Sequence, residues 1–281
     1  SAPRQSISLQ EIKADSIRIG DTYFNGLDNQ SQNDADIERL AAHSRLVLGS
    51  ISERLPNGVQ IQRPALEASI LEHLENSQVV LIAGVAGYGK SVLAKMVLLV
   101  RSEQTRVLAF KAEDLNNRSL ARALAVLETT QGVQGIETAL ESSPSSLVLI
   151  DGLEKIAEFE SREAVAQLLG LLRSHKGAKA MLTVRSHAVE MVYSNLLADL
   201  GVRVIDVPPL DDEELELALR AGPLNYAEIR GSNLGSVLRV PFYLRLALAH
   251  STCVSTASSQ APNDLKQFLW LQAVTNPASA G

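Results

Sequence analysis

Five short apolar runs punctuate residues 79–207, and the stretches between them repeat their apolar positions at helical spacing. The runs are Val79-Val80-Leu81-Ile82-Ala83, Arg106-Val107-Leu108-Ala109-Phe110, Ser146-Leu147-Val148-Leu149-Ile150-Asp151, Ala180-Met181-Leu182-Thr183-Val184 and Val202-Arg203-Val204-Ile205-Asp206-Val207. Each has the length of a strand and an apolar character that suits burial on both faces. Helical spacing predicts elements around residues 91–97, 120–127, 136–140, 164–172 and 189–200. Strands alternating with helices predict an α/β fold, a parallel five-stranded sheet flanked by helices.

Beyond Pro208-Pro209 the strand rhythm stops. Asp211-Asp212-Glu213-Glu214 places acids at the positive end of a helix running to Leu219. Residues 234–250 and 262–274 each read as one further helix. A small helical subdomain, 210–281, therefore follows an α/β core, 60–209. Before that core, residues 35–55 have helical spacing, Asn57-Gly58 signals a turn, and Pro64 suits the first turn of another helix. Residues 1–35 suggest one or two short strands or an extended linker, with 28–34 as a mobile polar break. Residues 1–59 are thus read as a linker and a helix.

The first apolar run leads into Gly84-Val85-Ala86-Gly87-Tyr88-Gly89-Lys90-Ser91, which fits the phosphate-binding pattern G-x-x-x-x-G-K-[ST] between a strand and a helix. Its glycines let consecutive N–H groups face one anion, and the helix N-terminus adds its own. Lys90 would reach the β- and γ-phosphates and Ser91 would hold Mg²⁺. Val92, next in the chain, and Arg63, before the Pro64 helix, complete the candidate nucleotide contacts. The loop predicts a P-loop NTPase, with ATP or ADP as the expected ligand.

The sheet pattern supplies the rest of the site. Asp151 ends the third strand, where an acid beside the first strand would orient Mg²⁺. Glu154 is a candidate for polarising the attacking water, with a plain surface carboxylate as the other reading. Arg185 follows the fourth strand toward the edge where ligands bind in open α/β sheets, and would sense the γ-phosphate unless it is simply solvated. The five histidines share no metal-ligand spacing.

Composition narrows the surroundings. Of the 281 residues, 46% are hydrophobic and 21% charged, an ordinary globular balance. A net charge of −6 argues against a dedicated nucleic-acid binder. The single cysteine, Cys253, excludes an internal disulfide and fits a reducing compartment. No apolar run reaches the length of a membrane span, and the start lacks a signal-peptide plan. The chain opens on Ser1 and is read as a fragment of a cytoplasmic protein without a membrane partner.

With these residues assembled, the chain resembles the STAND class of P-loop ATPases, most closely its NACHT branch. The matching residues are the loop 84–91, Ile150-Asp151-Gly152-Leu153-Glu154, Leu182-Thr183-Val184-Arg185, Pro208-Pro209-Leu210-Asp211-Asp212-Glu213-Glu214 and Val240-Pro241-Phe242-Tyr243-Leu244. The resemblance implies a molecular switch in signalling or antiviral defence. ADP holds such a module closed, and exchange for ATP opens it to oligomerise in response to a trigger sensed outside this chain. It also implies that Pro241 contacts adenine and that a winged-helix domain follows. Lys155 departs from the pattern by standing where the family has a second acid. It is expected to pair with Glu154 and slow hydrolysis, so the activity implied is that of a weak ATPase. The alternatives are a P-loop kinase, for which no acceptor pocket is visible, and an AAA+-like ATPase with ordinary turnover.

Overall fold

Two three-residue strands, β1 (Ile17–Ile19) and β2 (Thr22–Phe24), pair antiparallel, and helix α1 (Gly26–Gly49) follows them. The computed structural model describes residues 17–19, 22–24, 26–101, 105–143, 145–159, 161–220, 222–251 and 261–275. Cys253 and the residues before 17 lie outside them.

The polar tract 28–34, expected as a break, is part of α1. Tertiary contacts override its weak helix propensity. Asp36 is fully buried, and its carboxylate accepts from the Thr130 N–H and hydroxyl and from the Gln131 N–H. Gln131 in turn donates its side-chain amide to Gln32 Oε1 at 2.6 Å. The helix stops at Gly49, short of the expected residue 55. Residues 50–63 then cross the molecule as an irregular strap, with a tight turn at Gly58 (φ +81°).

The other strands are β3 (Val79–Gly84), β4 (Arg106–Lys111), β5 (Ser146–Asp151), β6 (Ala178–Arg185) and β7 (Val202–Asp206). They form one all-parallel sheet in the order β4-β5-β6-β3-β7. Successive side chains face opposite sides of a sheet. Val79, Leu81 and Ala83 accordingly join one apolar layer, and Val80 and Ile82 the other. The first layer holds Leu40 of α1 and residues of α4 (Leu120–Val126), α5 (Val133–Glu141), α6 (Glu163–Ser174) and α7 (Val189–Val192). The second holds Val47 of α1 and residues of α2 (Pro64–Asn76) and α3 (Lys90–Arg101). The predicted P-loop NTPase sheet is therefore present.

Three expectations change in detail. The Asp151 strand is not beside the phosphate-loop strand, because β6 lies between β5 and β3. Asp151 is still reached from the loop, since α3 packs across both β6 and β5. The helix expected over 189–200 is one α-turn followed by a π-helical turn, Tyr193–Leu197. The helix expected over 234–250 is two, α10 (Asn233–Leu238) and α11 (Pro241–Ala249). Pro241 cannot donate to the preceding turn and pushes Val240 into extended backbone (φ −90°, ψ 112°), so a new helix starts there.

With α8 (Asp212–Leu219), α9 (Tyr226–Ile229) and the last described helix, α12 (Pro262–Thr275), these elements share a separate apolar cluster. Asp211 and Glu214 cap α8 reciprocally. Leu55, from the strap, is buried in the same cluster. Among the described residues no helix is long and apolar enough to cross a membrane.

Asp36 makes this packing testable. Burial opposes its ionisation, but the N–H groups of Thr130 and Gln131, the Thr130 hydroxyl and Arg39 outweigh it and hold the carboxyl below its usual range. Its contribution to stability is therefore present above the unfolded-state pKa and is lost as pH falls through the lower folded value. Asp36→Ala should cost about 2–3 kcal/mol at neutral pH, because buried donors lose their acceptor. Chemical denaturation at neutral pH measures this, and an unchanged midpoint would contradict it.

Candidate functional site

β3 brings the chain to the carboxyl edge of the sheet at Gly84. Gly87 (φ +82°) and Gly89 (φ +87°) then bend it through the left-handed region, where glycine is unstrained. Lys90 opens α3 nearly buried, and its Nζ donates to the Gly84 and Val85 carbonyls at 3.0 Å each. Burial lowers the pKa of this ammonium, and the opposing pull of Glu154 and Asp151 does not restore it. Among the described residues Lys90 makes no ion pair. A buried cation held only by carbonyls fits a phosphate, which would supply the missing charge.

Beside it, the Ser91 hydroxyl donates to Asp151 Oδ1 at 2.7 Å and the Thr183 hydroxyl to the same oxygen at 2.6 Å. The Gly152 N–H donates to Thr183 Oγ1 at 2.8 Å. Ser91 and Asp151 present hard oxygen donors, the type Mg²⁺ takes alongside phosphate oxygens and water. Among the described residues no group of three or more His, Cys, Asp or Glu forms a metal centre. A Mg²⁺ here would thus depend on the nucleotide's phosphates as well as on the protein.

Arg185 and Glu154 meet. Arg185 Nε lies 2.9 Å from Glu154 Oε1, while Glu154 Oε2 is buried without a hydrogen-bond partner. Lys155 does not pair with Glu154 as expected; it pairs with Glu113. Residues 153–158 form a 3₁₀-helix, whose three residues per turn send neighbouring side chains about 120° apart. Lys90, Ser91, Asp151, Glu154 and Arg185 line one cleft of about 480 Å³, together with Ala86, Lys155 and Glu113.

A second cleft, of about 410 Å³, adjoins the first and shares Ser50, Gly87, Lys90 and Ser91 with it. Its lining includes Tyr88, Val92, Arg63 and Pro241, joined by Ser52, Glu53, Leu55, Ile61, Phe242 and Arg245. Here the helical elements touch the loop itself. The Phe242 N–H donates to the Gly87 carbonyl at 3.2 Å, and a Cβ at Gly87 would stand 2.7 Å from Phe242 Cβ. Arg245 reaches back to the strap, donating to the Ser52 and Arg54 carbonyls and the Ser52 hydroxyl.

Arg63 lines this cleft, but its guanidinium is occupied elsewhere. It bonds both carboxylate oxygens of Glu214, at 2.9 and 2.8 Å, and the carbonyls of Pro208 and Pro209. It therefore joins the start of α2 to the connection between β7 and α8. The sequence reading missed Phe242, Arg245 and the strap as cleft walls, and Glu113 as the partner of Lys155. Only Phe242 carried a signal, as the neighbour of Pro241; the others depend on contacts between distant segments.

A phosphate loop on an all-parallel sheet, with an acid ending a strand two places away, defines a P-loop NTPase. A family model described as Novel STAND NTPase 1 (nSTAND1) matches residues 61–232, more than half of the sequence. The chain belongs to this family, and so to the STAND class of P-loop ATPases. Among solved structures, the Walker-type ATPase PABY2304 of Pyrococcus abyssi is similar in fold: TM-score 0.51, 13% identity, 71% of this chain and 70% of that one. A STAND protein with a tetratricopeptide repeat sensor, PH0952 from Pyrococcus horikoshii, aligns at TM-score 0.46 and 16% identity, over 79% of this chain and 33% of that one. No curated protein sequence matches.

Two outcomes follow for substitutions. Lys90→Ala and Ser91→Ala should each abolish tight ATP and ADP binding in calorimetry with Mg²⁺ while the melting curve stays cooperative; parental affinity would contradict this. Arg63→Ala should destabilise the nucleotide-free protein by about 3–5 kcal/mol, the cost of breaking a buried ion pair. A nucleotide-free melting curve like the parent's would show that Arg63 acts only on ligand.

Proposed function

We propose that this chain is the nucleotide-driven switch of a larger signalling or defence protein. It holds ADP or ATP between the α/β core (60–209) and the helical subdomain (210–281), with 1–59 as the segment leading in. The observation that carries this reading is the direct packing of the helical part on the phosphate loop, Phe242 against Gly87 and Pro241 near Gly89. A nucleotide bound to that loop is in reach of both parts. Each nucleotide can then favour a different arrangement of the two, as its differential affinity dictates.

The residue roles follow. The loop N–H groups and Lys90 hold phosphates, and Ser91 and Asp151 hold Mg²⁺, which when bound neutralises phosphate charge. Pro241 offers an apolar surface to the adenine. Glu154 is the base for water, and its ion pair with Arg185 supports slow hydrolysis, because the carboxylate must leave the guanidinium before it can take a proton from water. The Asp151-Gly152-Leu153-Glu154 segment and Val240-Pro241-Phe242 support a NACHT-like organisation, cytoplasmic, with self-association on opening and a trigger sensed by other parts of the protein. Innate immunity or antiviral defence is the output such modules serve.

The test is to denature the purified protein, identify the nucleotide it releases, and measure steady-state turnover. Stoichiometric ADP is expected, with turnover well below the ~1 s⁻¹ floor of ordinary enzymes and abolished by Glu154→Gln. Turnover above that floor from the monomer, with no retained nucleotide, would favour a motor or kinase instead.

A further inference from the structure

We propose that Thr183 is a positioning residue for Asp151, fixing the carboxylate on which the metal side of the nucleotide site depends. This rests on the role given above to Asp151. Thr183 lies in β6, the strand inserted between β3 and β5, in register with Ile82 of the phosphate-loop strand. It is 1% exposed and is the single polar residue of the run Ala180-Met181-Leu182-Thr183-Val184. A hydroxyl in that position is costly unless both its capacities are used.

Both are used, and chemistry fixes the direction of each bond. The Gly152 N–H can only donate, so Thr183 Oγ1 accepts it at 2.8 Å. A carboxylate can only accept, so the one hydroxyl proton goes to Asp151 Oδ1 at 2.6 Å. The result is a directed relay from Gly152 N–H through Thr183 to Asp151, each bond polarising the next. Gly152 has φ +83°, so the chain turns sharply just after Asp151, and Thr183 pins the N–H at that turn as well as the side chain before it.

Ser91 donates to the same Oδ1 at 2.7 Å, leaving Oδ2 outside both contacts. The two donors are not equivalent. Ser91 is itself a candidate metal ligand, whereas Thr183 is 1% exposed and holds Asp151 with its one proton while accepting from the Gly152 N–H. Thr183 is the fixed member of the pair, and Asp151 takes its orientation from it.

The test compares nucleotide affinity in Mg²⁺ with affinity in EDTA, by calorimetry, for the parent, Thr183→Val, Thr183→Ser, Asp151→Asn and the Thr183→Val/Asp151→Asn double variant. Thr183→Val should reduce the Mg²⁺-dependent gain in affinity about tenfold, equivalent to ~1.4 kcal/mol. Affinity in EDTA should stay unchanged. Thr183→Ser should keep the parental gain, and Thr183→Val should add nothing to Asp151→Asn. Thr183→Ala reads the same loss if Thr183→Val folds poorly. A parental gain in Thr183→Val beside a lost gain in Asp151→Asn overturns the proposal alone. A parental gain in Asp151→Asn overturns the metal role of Asp151 and the proposal with it. An equal loss in Mg²⁺ and EDTA marks Thr183 as structural and also overturns it.

Discussion

The contact between Phe242 and Gly87 sets the geometry of this molecule. An N–H of the helical part bonds a carbonyl of the phosphate loop, and the two backbones approach so closely that no Cβ fits at Gly87. The loop is thereby shared. Its N–H groups and Lys90 belong to the α/β core, while its outer wall is built by α11. Several distant interactions serve to keep α11 there. Pro241 starts the helix at the right residue, Arg245 ties it to the strap, and Leu55 of the strap is buried in the helical cluster. Lys95 bonds the strap to α3 through the Ile51 carbonyl and Glu53. Arg63 clamps Glu214 and the two proline carbonyls where the chain leaves the sheet.

The opposite wall depends on strand order. Because β6 is inserted between β3 and β5, its carboxyl end stands between the phosphate loop and Asp151. Thr183 and Arg185 lie two residues apart there, on the same side of the strand. Thr183 holds Asp151 and Arg185 holds Glu154, so one strand organises these two acids of the cleft. This explains how acids on a non-adjacent strand still converge on Ser91 and Lys90.

Much of this was legible in the sequence. The five strands, their parallel order of connection, the loop 84–91 and the acids at 151 and 154 follow from local pattern, because a strand buried on both faces and a glycine-rich turn leave strong local signals. What was not legible depended on partners far away in the chain. The polar tract 28–34 becomes helical because Asp36 and Gln32 meet Thr130 and Gln131. The placement of β6 beside β3 has no local signature. Lys155 misses Glu154 because neighbouring side chains on a helical turn point apart, and Glu113, 42 residues earlier, meets it instead. Arg63 is read from the sequence as a nucleotide contact, and its bond to Glu214, 151 residues later, leaves no local trace. The break at Pro241 is different: its signal, the proline, is local, yet residues 234–250 read as one helix.

Trp270 gives the most direct test of the shared loop. It is the chain's single tryptophan, and its ring lies 6.1 Å from that of Phe242, which rests on Gly87. If the helical part responds to the nucleotide through the loop, Trp270 emission should differ between the ADP complex and the Mg²⁺-ATP complex of the same protein. Identical emission spectra in the two complexes, at saturating nucleotide, would contradict the account.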